Sequence, residues 1–282
     1  MFRVIFLFAV PSLMMLTLSA CFKNRYDKSD APKFNAMAET YFSEFSNMAD
    51  QAISGNLYYY KNGTVIVDDV NDGKPVYRDK SACNVLISFD TIGTTKTVTI
   101  DWGTTNCDCN DGKRRRGQLV ISYTGSYFST GTVITHTPVN YFVNDHKVEG
   151  TKIVTNMGLN GNGQPYYTVD IDGVVTLSTG EVINYTSDRV RTFVAGFSTP
   201  LNFWDDEYDI TGSATGTVIN GDGFTANITN PLHVKIGCSY ITSGTIDITP
   251  TDKPIRTIDY GDGTCDGTFT ISINGNTYTI II

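Results

Sequence analysis

Apolar residues follow two regimes along this chain. Across residues 32–53, Phe34, Met37, Ala38, Tyr41, Phe42, Phe45, Met48, Ala49, Ala52 and Ile53 recur at three- and four-residue spacing, which lines one face of an α-helix. Asp30 stands where a cap is needed, Pro32 suits the first turn and Gly55 ends the pattern. The face predicts a helix packed on the rest of the protein. Use as a membrane-surface or partner helix is the alternative, but the Lys/Arg-rich polar face of membrane-surface helices is missing.

Beyond Gly55 the period drops toward two and the runs shorten. Strands are predicted at 64–70, 84–90, 96–102, 118–124, 132–137, 147–156, 166–171, 174–178, 182–194, 208–219, 224–228, 232–240, 245–249, 255–260, 268–273 and 278–282. Their separators are Asn71-Asp72-Gly73, Asn160-Gly161-Asn162-Gly163, Asp172-Gly173, Asn220-Gly221-Asp222-Gly223 and Asn274-Gly275-Asn276. Asn-Gly and Asp-Gly supply the positive φ angles of tight hairpins. No long helical pattern intervenes, so neighbouring strands pair antiparallel rather than through helical crossovers. The expected fold is mainly β: an antiparallel sheet of many hairpins, arranged as a sandwich, a barrel or a long curved meander, with one N-terminal amphipathic helix. Residues 56–282 form the β body, with a possible sub-boundary at 197–206, where Pro200 and consecutive carboxylates break the pattern.

The first residues belong to neither regime. Arg3 precedes an apolar run over 4–18, about fifteen residues, shorter than the roughly twenty that span a bilayer, so it reads as an export signal. The run ends in Leu18-Ser19-Ala20-Cys21, which resembles the lipobox of bacterial lipoproteins. That resemblance implies removal of residues 1–20, diacylglycerol on the Cys21 thiol, and a lipidated tether and helix over 21–55. Each acyl methylene then contributes about 0.8 kcal/mol when buried in a membrane. The tether mixes Lys23, Arg25, Asp27, Lys28 and Asp30, and lacks a concentrated acidic patch of the kind associated with surface export in related bacteria.

Composition agrees with an exported β protein and narrows its partners. Only 18% of residues are charged, and the formal charge of −8 argues against nucleic acid, whose affinity comes from Lys and Arg on phosphates. The one basic run, Lys113 to Arg116, follows Asn110, Asp111 and Gly112 and reads as a solvated hairpin tip, with an anion or headgroup contact as the alternative.

One phrase occurs twice: Thr99-Ile100-Asp101-Trp102-Gly103 with Cys107 and Asp108, and Thr257-Ile258-Asp259-Tyr260-Gly261 with Cys265 and Asp266. Cys83 and Cys107 bracket one predicted hairpin, Cys238 and Cys265 another, so each pair meets at an open hairpin end. Two disulfides are expected, Cys83 to Cys107 and Cys238 to Cys265, in a compartment where disulfides persist. Cys109 satisfies the first geometry as well. The matching offset of Cys265 favours Cys107, which leaves Cys109 as an unpaired or alternative thiol. Asp259, Asp262 and Asp266 on a Gly-rich loop form a weak calcium candidate beside the reading as self-capped turns, and no other cofactor is expected.

Catalytic motifs are absent from the sequence. The three histidines, His136, His146 and His233, lie far apart, and no zinc-protease helix, serine elbow or phosphate loop is present. Asp68-Asp69 and Asp205-Asp206-Glu207 read as solvated strand ends. Tyr58-Tyr59-Tyr60, Tyr166-Tyr167, Trp102 and Trp204 are the candidates for sugar stacking, against cross-strand packing.

The lipobox, the Asn/Gly hairpins and phrases such as Asn156-Met157-Gly158-Leu159-Asn160, Asp209-Ile210-Thr211-Gly212 and Ile258-Asp259-Tyr260-Gly261 resemble uncharacterised lipoproteins of Bacteroidota. The resemblance implies a lipid-anchored protein of the cell envelope, in the outer membrane, and brings no catalytic residue. The expected function is non-enzymatic, in adhesion or envelope organisation, with membrane lipid and an envelope protein or glycan as partners. Glycan capture is the alternative, and it predicts a solvent-facing row of Tyr or Trp.

Overall fold

A computed structural model describes residues 28–54, 63–69, 76–109, 112–199, 205–219, 221–235, 238 and 240–281, with the backbone alone at 54, 63–69, 76–84 and 281. Among the described residues one helix, α1 (Ala31–Ser54), precedes strands β1 (Gly63–Asp69), β2 (Val76–Asp90), β3 (Thr95–Asp101), β4 (Cys107–Asp108), β5 (Arg114–Thr124), β6 (Val133–Val143), β7 (His146–Leu159) and β8 (Pro165–Thr176). They continue as β9 (Val182–Ala195), β10 (Glu207–Ile219), β11 (Phe224–Lys235), β12 (Ile241–Pro250), β13 (Arg256–Asp262), β14 (Thr268–Ile273) and β15 (Asn276–Ile281).

The strands form one sheet in chain order, with β4 as a short side piece on β5. All pairings are antiparallel except β1 on β2. The sheet is a long meander that does not close, with β1 and β15 at its edges.

The helix lies against the inner face of this sheet and touches β3, β6, β7, β9 and β12. Among its described side chains only Ser43 and Asn47 are exposed, whereas a helix resting on a flat surface would show about half its girth. Charge gives the same geometry. At roughly 100° per residue, Glu39 and Glu44 point about 140° apart around the helix. Glu39 meets Arg189 of β9 and Glu44 meets Arg115 of β5, so the sheet reaches the helix from both directions.

The apolar core fills the space between. Phe42 packs on Phe45 and Tyr185, Phe45 meets Tyr141 edge-on, and Trp102 tilts onto Tyr141. Phe34, Ala38, Phe42, Phe45, Met48, Ala49 and Ala52 are all buried, as their spacing predicts. Inner-facing Ile87, Ile100, Leu119, Ile121, Val148, Val175 and Ile183 are the sheet's share.

Three expectations change. Asp172-Gly173 is no hairpin: β8 runs straight through it, pairing with Thr151 and Gly150 of β7. A Cβ at Gly173 would collide with the Phe42 ring, so this glycine gives room to the helix rather than turning the chain. The basic run is no solvated tip. Lys113 and Arg115 point inward and are buried against Glu44, while Arg114 and Arg116 point outward to Asp145. At the helix start the hydroxyl of Ser29, rather than Asp30, accepts the Ala31 N–H at 3.2 Å.

The repeated phrase has the same local structure in both copies. Asp101 Oδ1, at the end of β3, accepts the Gly103 N–H at 2.7 Å, and Asp259 Oδ1, within β13, accepts the Gly261 N–H at 3.0 Å. Gly103 and Gly261 sit at φ +77° and +95°, where a side chain would be strained. In the first copy this ends β3 in a turn, whereas in the second β13 runs on to Asp262, where its pairing with β12 shifts register.

Candidate functional site at the two ends of the helix

At its N-terminal end the helix is tied to two hairpins. The Ser29 hydroxyl donates to Asp222 Oδ2 at 2.7 Å, and Lys253 donates to the Lys28 carbonyl at 2.9 Å while pairing with Asp222. Asp222 lies in the β10–β11 turn and Lys253 in the β12–β13 turn. A shallow groove of about 840 Å³ opens here, floored by Gly221, Gly223 and Thr251. The first described residues, Lys28 and Ser29, are therefore fastened to both turns at this end.

Buried charges line the middle. Glu44 accepts from Lys113 and, at 2.7 Å, from Arg115, whose Nε donates to the Tyr141 hydroxyl at 3.1 Å. Glu39 accepts from Tyr185 and, at 3.0 Å, from Arg189. Lys152 of β7 is buried and donates to the carbonyl of Phe42. Burial first, and Arg191 second, pull its amine down to about 7 against the opposing pull of Asp50 and Glu39. His136, buried with its Nδ1 3.3 Å from the Lys152 carbonyl, is pulled down to about 3 by burial and by the Lys152 charge.

The C-terminal end of the helix carries the most unusual constellation. In the β8–β9 register Tyr167 stands opposite Arg191, and in the β9–β10 register Phe193 stands opposite Tyr208, all on the inner face. The Arg191 guanidinium lies over the Tyr208 ring at 4.2 Å and the Tyr167 ring at 5.4 Å. Phe193 stacks on Tyr208 at 4.5 Å, and Phe197, which is 44% exposed, meets Phe193 edge-on. The nearby carboxylates are turned to tyrosines: Asp50 accepts from the Tyr127 hydroxyl at 2.8 Å and Asp206 from Tyr208 at 3.3 Å. Burial pushes both carboxyls above the usual aspartate range, for Asp50 against the pull of Arg191. Arg191 Nε is itself buried with no hydrogen-bond partner.

The residues singled out in the sequence fall elsewhere. Cys238 and Cys265 form a disulfide with Cα atoms 5.9 Å apart, closing the open end of the β12–β13 hairpin as expected. Cys107 is also in a disulfide, and its partner, like the Cys83 side chain, is outside the described residues. Cys109 keeps its thiol, which donates to the Cys107 carbonyl at 3.6 Å. The carboxylates of Asp259, Asp262 and Asp266 cap the N–H groups of Gly261, Thr264 and Thr268, and among the described residues no group of three or more His, Cys, Asp or Glu gathers to hold a metal.

Cys21, Tyr58 to Tyr60 and Trp204 lie outside the described residues. Trp102 is buried, and among the described residues no Tyr or Trp is exposed on the sheet's outer face. His233 bridges strands on that outer face, with Nδ1 2.6 Å from Asp209 and Nε2 3.2 Å from Glu207. His146 Nδ1 accepts the Ser178 N–H at 2.9 Å.

Sequence reading missed Arg191, Asp50 and Tyr208. The available signal was parity: Arg189 and Arg191 alternate in step with Ile183, Tyr185 and Ser187, so they share the buried side of their strand. No family model, curated protein or solved structure matches this chain.

Proposed function

We propose that this is a non-enzymatic, lipid-anchored β protein of the cell envelope that works through its surface, in adhesion or envelope organisation. The observation that supports it is the clamp at Lys28 and Ser29. Lys28 lies seven positions after Cys21, a reach of at most about 25 Å, so acylation at Cys21 would hold the clamped end close to the bilayer. From Ser29 to Asp50 the helix then rises about 30 Å, carrying the Arg191 end away from the lipid. All three histidines serve within the sheet, bonded to backbone or carboxylates, which fits a surface rather than a catalytic role.

The test is fractionation of cells producing the protein. Wild type should partition with membranes and need detergent for release, and Cys21→Ala should abolish that detergent requirement. A Cys21→Ala protein that still needs detergent would refute the anchor.

A further inference from the structure

We propose that Arg191, held between Tyr167 and Tyr208 at the C-terminal end of the helix, is a binding site for a carboxylate carried beside an apolar group. The site stands on the folded body alone and does not depend on the anchor.

The first argument is unspent hydrogen-bonding capacity. Guanidinium groups in protein interiors are paired, because an unpaired charge away from water is costly. Two buried arginines of the inner face show this: Arg115 pairs with Glu44 and Arg189 with Glu39. Among the described residues no carboxylate oxygen comes within 4.0 Å of Arg191, and its Nε has no acceptor. Asp50 and Asp206 attract Arg191 through space, but their hydrogen bonds come from the hydroxyls of Tyr127 and Tyr208, which leaves the guanidinium donors without a carboxylate acceptor.

The second argument is presentation. Rings at 4.2 and 5.4 Å hold the guanidinium between them, and its planar fork matches the two oxygens of a carboxylate. Arg191 is only half-buried, so part of its side chain is open to a ligand. Phe193 and the exposed Phe197 continue the ladder outward and offer an apolar wall beside the charge. Asp50 and Asp206 set the ligand class: a phosphate carries nearly two negative charges toward them, a carboxylate one.

Full-length protein in detergent, labelled with ¹⁵N-arginine, reads the site through the Arg191 Nε–H resonance. N-acetyl-phenylalanine should shift it saturably with half-effect in the millimolar range, and N-acetyl-phenylalaninamide, which lacks the carboxylate, should not. Arg191→Gln should abolish the response; because that variant is open to misfolding, the acid-against-amide comparison on wild type decides. A hexapeptide ending in phenylalanine that binds at least tenfold tighter than the single residue assigns the ligand to a protein C-terminus, and equal binding assigns it to a small acid. Equal shifts from acid and amide, no shift up to about 50 mM acid, or tighter binding of phenyl phosphate would overturn the proposal.

Discussion

Lys152 of β7 donates its amine to the carbonyl oxygen of Phe42, in the middle of α1, at 3.0 Å. The contact joins the sheet to the helix across 110 residues of sequence and leaves a lysine where solvent cannot reach it. Its amine titrates at about 7 in the folded protein and at the ordinary lysine value of 10.5 when unfolded. Between those values the unfolded chain binds the extra proton, so stability rises as pH increases from 7 toward 10. Thermal unfolding of wild type and Lys152→Met at pH 7 and pH 9.5 checks this. The advantage of wild type over the variant should grow with pH, and a constant difference would exclude a titrating Lys152.

Gly173 and Phe42 share one space. Gly173→Ala should destabilise by about 1–3 kcal/mol, since the ring must move within a packed core. Phe42→Leu should recover part of that loss in the double variant, giving a favourable coupling in a double-mutant cycle measured by urea unfolding. Additive losses would mean that helix and β8 do not meet here.

Glu44 serves Lys113 and Arg115 together. Glu44→Gln leaves two buried cations opposite a neutral amide and should cost about 3–5 kcal/mol. Replacing the trio as Glu44→Leu, Lys113→Met and Arg115→Met should recover most of it, because a well-packed apolar cluster replaces a desolvated ionic one. Chemical denaturation of the two variants separates loss of charge balance from loss of shape.

The Cys238–Cys265 bond spans 27 residues. On the loop-entropy model its removal costs about 3–4 kcal/mol. Cys265→Ser should lower the urea midpoint accordingly, and amide exchange in β12 and β13 should accelerate before that in β7 and β8. Uniform acceleration would mean that the bond constrains the whole sheet instead of one hairpin.

Local signals were readable and long-range ones were not. The helix expected at 32–53 is α1 (Ala31–Ser54), because its apolar face is set by residues three and four apart. The antiparallel hairpins followed from the Asn-Gly and Asp-Gly separators and the second hairpin staple from cysteine spacing, whereas the choice of an open meander over a sandwich or barrel did not. Gly173 misled because glycine has two uses, turning a chain and making room for a neighbour, and the neighbour is Phe42, more than a hundred residues earlier. The basic run misled for the same reason: Arg115 is 71 residues from the carboxylate that draws it inward, and Arg189 is 150 from Glu39. The Arg191 cluster draws on the helix and three strands, so no single stretch contains it. Only the charged residues on the buried parity of β9 hint at it.

The most direct measurement is mass spectrometry of the N-terminal peptide from protein extracted from membranes. Lipid anchoring predicts a chain that starts at Cys21 and carries the added mass of a diacylglycerol thioether, with or without an amide-linked acyl chain. An unmodified Cys21 thiol, or cleavage at another residue, would contradict it.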